Sequence, residues 1–206
     1  MIITYLGGAF VKVQFGDTVL AFNPVSKDSE MKTAKFGADI VLSSLNHPDM
    51  NGLDQVSFGD KKAFSITGPG EYEVKDVFIK GLSSESGYGG EKRINTVYSV
   101  SLEGMNICFL GAVNTPELPK EADEAIDGVD ILFVPIGGNG VLGPSDAYKL
   151  AVSLEPKIII PILHDAVSLK SFLKEAGENP KPETKITLKK KDLEEKEAEV
   201  VVLEKE

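Results

Sequence analysis

The feature that most limits the fold of this chain is a change of period at Gly111. Before it, apolar residues recur at every second position in short runs broken by glycine; after it, continuous apolar runs alternate with stretches spaced for helices. FVKVQF alternates as a half-buried strand does, and IITYL, TVLAFN and DIVLSSL also read as strands. AFSITGPGEYEVKDVFIKGL continues the pattern, with Gly68-Pro69-Gly70 as a turn and Glu71, Glu73 and Lys75 on one exposed strand face. NTVYSVSLEGMNICFLG predicts a hairpin turning at Glu103-Gly104. Beyond Gly111, TPELPKEADEAIDG puts Leu118, Ala122, Ala125 and Ile126 on one helical face, ahead of the buried strand VDILFVPIGG. GPSDAYKLAVSLEP spaces Ala147, Leu150, Ala151 and Leu154 for a second helix, and KIIIPIL follows as a strand. SLKSFLKEAGE predicts a last helix with Leu169, Phe172, Leu173 and Ala176 inward and Gly177 as its C-cap. The tail predicts two strands around a charged, solvated turn at 189–199. Strands first and strand-helix alternation later predict a layered α/β architecture, two sheets sandwiched between helices, in a single domain over residues 1–206.

Charge narrows the partners. With 32 acidic against 22 basic residues, the formal net charge of −10 sets a field that repels phosphate backbones and anionic membranes. Neither nucleic acid nor a membrane is expected to bind. The single cysteine, Cys108, sits in the apolar run NICFLG and reads as a buried, inert thiol in a reducing compartment. No apolar stretch approaches the roughly 18 residues of a membrane span, and MIITYLGGAF lacks the layout of a signal peptide, so a cytoplasmic location is expected.

One loop carries candidate chemistry. VLSSLNHPDMNG runs from a strand end into a turn holding His47 and Asp49. Together with ITYLGGAF, TVLAFNP, NICFLGAV and VDILFVPIGGNGVLGPSDAYKLAVSLEPKIIIPIL, in that order and spacing, it resembles the metallo-β-lactamase superfamily. The likeness is greatest to the branch of metal-dependent hydrolases similar to ascorbate-6-phosphate lactonase. It covers nearly the whole chain, with Val129 to Leu163 the most specific stretch, and implies an αββα sandwich.

The resemblance also implies a dinuclear metal centre, and it assigns the ligands. The family's His-x-His-x-Asp-His loop falls on Leu45, His47, Asp49 and Met50; its strand histidine on Lys80; its Gly-Asp aspartate on Ala112; and its last histidine on Leu163. The early Gly-His and Asp-Pro read Gly7-Gly8 and Asn23-Pro24. In the family scheme His47 and Asp49 serve different ions, so neither ion keeps the roughly three protein ligands of a catalytic zinc. Leucine and methionine offer packing rather than coordination, and an ammonium at Lys80 repels a dication. Lys80 is expected to fill the vacated space against Asp49.

Bland alternatives stand beside these assignments. His47 reads as a ligand or as a loop histidine bonded to backbone, and Asp49 as a base or as a turn residue. Strand alternation turns His164 away from the His47 loop, whereas a bulge at Leu163 lets His164 replace the last histidine. PIGGNGVLGPS lacks the lysine of a phosphate loop and reads as pocket floor, and GLSSESGYGGEKR as a mobile loop over the mouth. The leading expectation is a pseudoenzyme: a non-catalytic binding or regulatory module with no cofactor, taking an unknown small molecule or protein. Its rival is a zinc- or manganese-dependent hydrolase of a lactone, ester or phosphoester with ligands relocated to His47, Asp49, His164 and Asp165. A third class is a self-associating homo-oligomer whose old mouth is an interface.

Overall fold

Strands within residues 2–66 supply most of one sheet, and strands within residues 70–162 supply most of another. The computed structural model describes residues 1–59 and 62–206. Strands β1 (Ile2–Gly7), β2 (Phe10–Phe15), β3 (Thr18–Phe22), β4 (Ile40–Leu42) and β5 (Phe64–Ile66) come first. Then follow β6 (Gly70–Val74), β7 (Val77–Ser86), β8 (Arg93–Leu102), β9 (Met105–Phe109), helix α1 (Lys120–Ala125), β10 (Ile131–Pro135), helix α2 (Pro144–Ser153) and β11 (Ile158–Ile162). Helix α3 (Ala166–Ala176), β12 (Lys185–Thr187) and β13 (Glu199–Val200) close the chain. Among the described residues the strand order is β12-β1-β2-β3-β4-β5 in one sheet and β13-β11-β10-β9-β8-β7-β6 in the other.

Two turns do most of the routing. Gly68-Pro69 carries the chain from β5, at the edge of the first sheet, to β6, at the edge of the second. Glu103 and Gly104, both at positive φ, close the β8–β9 hairpin as expected. The tail strands part company, β12 joining β1 antiparallel and β13 joining β11 parallel, so the last segment ties the two sheets together.

The sheets pack face to face over Phe22, Phe109 and Phe133, all fully buried, with Phe22 and Phe109 stacked at 4.8 Å. On the outer face of the second sheet, Leu132 and Val134 pack against Ala147, Leu150 and Phe172 of α2 and α3. The outer face of the first sheet is covered differently. Phe10, Ala21 and Val41 are covered by Phe36, Ala38, Leu53 and Val56 from irregular segments and one 3-10 turn at Leu53–Val56. The fold is the αββα sandwich, with a thin outer layer on that side.

Helix boundaries show where local chemistry decides. α1 begins only after Pro119 and is shorter than the apolar spacing predicts. α3 begins two residues before Ser168 because Asp165 accepts hydrogen bonds from the backbone N–H groups of Val167 and Ser168. It ends at Gly177 in the left-handed conformation, the predicted C-cap. Cys108 is buried and burial pushes its thiol up to about 12, an inert core side chain. No helix among the described residues is long and apolar enough to cross a membrane.

Because Phe22 stacks between the sheets with no route to solvent, Phe22→Ala leaves a cavity that the rigid strands cannot collapse. A loss of about 3–5 kcal/mol is expected in chemical denaturation. A loss below about 1 kcal/mol, within the reach of surface substitutions, would show that the sheets do not meet there.

Candidate functional site

The His47 loop leaves β4 and is pinned before it reaches solvent. Ser26 donates its N–H to the Pro48 carbonyl and Gly52 donates to Pro24, at 2.8 and 2.7 Å. At Gly52 a Cβ would stand 2.4 Å from the Val25 carbonyl, so this close crossing needs glycine. Leu45 and Met50 point into the core between the sheets, where both are buried. They pack, as expected of residues without strong donor atoms.

Beneath the loop lies a buried polar network. Asn23, in the left-handed region at φ 47, donates through Nδ2 to Ser44 Oγ at 2.8 Å and accepts the Ser44 N–H at 2.6 Å. Asn95 donates through Nδ2 to Ser84 Oγ at 2.8 Å and to the Leu110 carbonyl at 2.9 Å, while its Oδ1 accepts the Ala112 N–H at 2.8 Å. Gly111 separates the two halves: a Cβ there would lie 2.5 Å from Asn95 Oδ1 and 2.6 Å from Ser44 Oγ. All four polar side chains are buried and each is paired, which is what neutral polar groups need in a dry interior. The position assigned to the family's aspartate is thus Ala112, whose backbone rather than side chain meets Asn95.

Asp49 is held from two sides. Tyr88 donates its hydroxyl to Asp49 Oδ2 at 2.7 Å, and the Ser29 hydroxyl donates to Oδ1. His47 Nδ1 accepts the Asp49 backbone N–H at 3.2 Å, and its ring meets Tyr88 edge-on at 5.0 Å between centroids. Burial first, and the Asp49 carboxylate second, hold the Tyr88 phenol well above its ordinary pKa, so it remains a donor. The turn after β7 was expected to be mobile. Instead Gly87 donates its N–H to Gly140 and Tyr88 ties to Asp49, so the segment is a strap across the mouth.

Two expectations about position need correction. Lys80 does not fill space beside Asp49. It pairs with Ser99 in the middle of the β7–β8 ladder and its ammonium meets Glu71 at 3.1 Å, on the exposed side of the sheet. The β7 end that meets the loop is Ser84 to Ser86, and Lys80 to Ser86 spans roughly 20 Å of strand. A glycine after an apolar strand residue was too weak a mark to fix register. The strand alternation invoked for Leu163 and His164 does not apply either. β11 ends at Ile162, and Leu163 turns at φ 50 while donating its N–H to the Gly8 carbonyl.

Leu163 and His164 therefore both line a cleft of about 320 Å³ with Met31, Tyr88, Gly138 and Asn139. The glycine-rich segment after β10 forms one wall, as its composition suggested. The Met31 side chain covers Gly8, standing 2.6 Å from where a Cβ would be. His164 stacks on Tyr5 at 5.9 Å, and its Nε2 is buried without a hydrogen-bond partner among the described residues. Burial holds its imidazole below its ordinary pKa, against smaller opposing effects of Asp165.

Comparison with known proteins decides the lineage. The Beta-lactamase superfamily domain matches residues 2–163. This chain belongs to the metallo-β-lactamase superfamily. A metal-dependent hydrolase of Lysinibacillus sphaericus is 24% identical over 192 residues, covering 79% of this chain and 84% of the relative. One from Bacillus licheniformis is 25% identical over 195 residues, with coverage of 79% and 84%. A Thermotoga maritima structure, classed as a Zn-dependent hydrolase of the metallo-β-lactamase superfamily, superposes with a TM-score of 0.76 at 27% identity, over 98% of this chain and 97% of that one.

The superfamily implies a metal, and the donors at this site do not suit one. Asp49 has both carboxylate oxygens engaged by hydroxyl groups, His47 Nδ1 is engaged by backbone, and Leu45, Met50 and Ala112 bring no strong donor. Among the described residues no three His, Cys, Asp or Glu side chains converge. The network residues Asn23, Ser44, Ser84 and Asn95, and the strap residues Ser29 and Tyr88, escaped sequence reasoning. The one signal was Asn95, a polar residue at the inward-facing start of an apolar strand.

Asn95→Ala removes hydrogen bonds to three partners that cannot reach water. It should cost about 3 kcal/mol in a denaturant melt, and an unchanged midpoint would show the network to be decorative. His164 supplies a pH test. A buried imidazole with a lowered pKa leaves the unfolded chain holding more protons, so stability falls as pH drops through the ordinary histidine value of 6.5. The Tm of the native protein should fall more between pH 7 and pH 5 than that of His164→Gln; equal falls would remove His164 as the cause.

Proposed function

We propose that this protein is a non-catalytic binding module on the metallo-β-lactamase fold. The observation that carries this reading is the Asn23–Ser44 and Asn95–Ser84 network under the His47 loop, where neutral amides and hydroxyls satisfy one another. Metal-activated water needs an ion held with an open position. A network of paired neutral groups offers no charge to hold such an ion. The cleft beside Tyr88, Asn139 and Leu163 supports the binding part of the reading, with a small molecule or a protein segment as its ligand. The inert Cys108 thiol supports a reducing cytoplasm as the setting.

The hydrolase reading draws on the relatives, which are metal-dependent hydrolases. Relocated ligands weaken it, because the Asp165 carboxylate is committed to capping α3 and the Asp49 carboxylate to Ser29 and Tyr88. Protein purified without chelators should contain substoichiometric zinc, manganese and iron, and calorimetric titration with zinc should give no saturable isotherm. A tightly bound ion that disappears in His47→Ala would restore the metal site and the hydrolase with it.

A further inference from the structure

His164 separates the cleft described above from a second cavity of about 420 Å³. Gly8, His164 and Asp165 line both, so the two spaces share one wall. The larger cavity is apolar on one side, where Tyr5, Leu169, Val202 and Leu203 face it, and charged at its rim. The rim holds Lys205, Glu204 and Asp165. The stem and ammonium of Lys205 lie over Gly7, Nζ standing 3.3 Å from where a Cβ would be, and Lys205 has no ion pair among the described residues. The backbone beside it is fixed, since Glu204 donates its N–H to Glu183 and Glu206 donates to Tyr5.

Within this frame His164 is the unpaired group. Its Nε2 is buried and has no hydrogen-bond partner among the described residues, which is unfavourable for a polar atom. The ring is a wall of both cavities while Nε2 itself is covered, so a ligand in the larger cavity reaches Nε2 through a turn of the ring about its Cβ–Cγ bond. Asp165 backbone occupies the other side of the ring, and burial keeps the imidazole neutral, which leaves Nε2 as an acceptor. A ligand that meets these groups carries a hydrogen-bond donor for Nε2, an anion for Lys205 and an apolar body for the Tyr5 side. Glu204 favours a donor that is itself cationic. A volume of about 420 Å³ accommodates an amino acid with a large side chain.

We propose that the cavity between Tyr5, His164 and Lys205 binds a free α-amino acid with a large apolar side chain. Its ammonium donates to His164 Nε2 beside Glu204, its carboxylate meets Lys205, and its side chain rests on Tyr5, Leu169 and Leu203. This deepens the binding-module reading, yet its test does not depend on the metal result: a zinc site at His47 would leave this cavity intact, and an empty cavity would leave the zinc isotherm unchanged.

The test titrates L-phenylalanine into the full chain, followed by calorimetry and by amide shifts in two-dimensional NMR. Saturable binding is expected, with shifts centred on Tyr5, His164 and Leu169. Phenethylamine and 3-phenylpropionate, each lacking one charged group, should bind at least about tenfold more weakly, the loss of one charge-assisted contact. His164→Leu keeps the bulk of the ring and should weaken phenylalanine by a similar factor. Lys205→Ala alters an exposed side chain, so its fold is secure, and it should weaken phenylalanine but not phenethylamine. No saturation up to the solubility limit, shifts centred elsewhere, or equal affinities for phenylalanine in Lys205→Ala and the native protein would each overturn the proposal.

Discussion

The carboxamide of Asn95 is the constraint on which the site depends. From the start of β8 it holds β7 through Ser84, the end of β9 through the Leu110 carbonyl and the turn beyond through the Ala112 N–H. Thr96, its neighbour, donates its N–H to the Ser44 carbonyl, and Leu45 bridges to Asn95 itself. The carboxamide thus joins two segments of the second sheet, and the backbone beside it brings in the segment that follows β4 of the first. An amide suits this place because it donates and accepts at once, whereas a carboxylate would only accept and would bring a charge that nothing nearby neutralises. Gly111 follows from it, since any side chain there would displace the carboxamide.

The loops at the mouth are ordered by hydrogen bonds among their own side chains and backbone. The His47 loop is pinned from below by the network and from above by Tyr88 and Ser29, both of which spend a hydroxyl on Asp49. The carboxylate is retained as an anchor for two segments far apart in sequence. His47 turns inward against Tyr88 and its own backbone. The two residues that look most chemical in the sequence thus both contact Tyr88 at the mouth.

Much of the fold was legible because it rests on periods. Alternation located β2, continuous apolar runs located β10 and β11, and the spacing of Ala147, Leu150 and Ala151 located α2, whose inner face these residues form. The site was legible only in part. Leu45, Met50 and Ala112 were expected to line a pocket, and the structure buries all three in the core between the sheets. Lys80 was misplaced, and the alternation assumed for Leu163 and His164 failed, because each needed a register count along a strand, and a slip or an early strand end changes which side chain reaches the site. The buried serines and asparagines could not be foreseen. Each is polar and short, and only the fold decides whether its partner is water or another strand.

The same reasoning separates His164 from the rest of the mouth. Every other polar side chain of the loop and the network has a partner, so those positions lower the energy of the folded chain by themselves. His164 stands apart, buried against Tyr5 with Nε2 unpaired, at the wall common to two cavities. A fold that satisfies Asn23, Ser44, Ser84 and Asn95 so fully is not short of partners in general. Among the described residues Arg93 Nε and Asn114 Oδ1 are also buried without a partner, and of the three it is His164 that lines the cavity beside Tyr5.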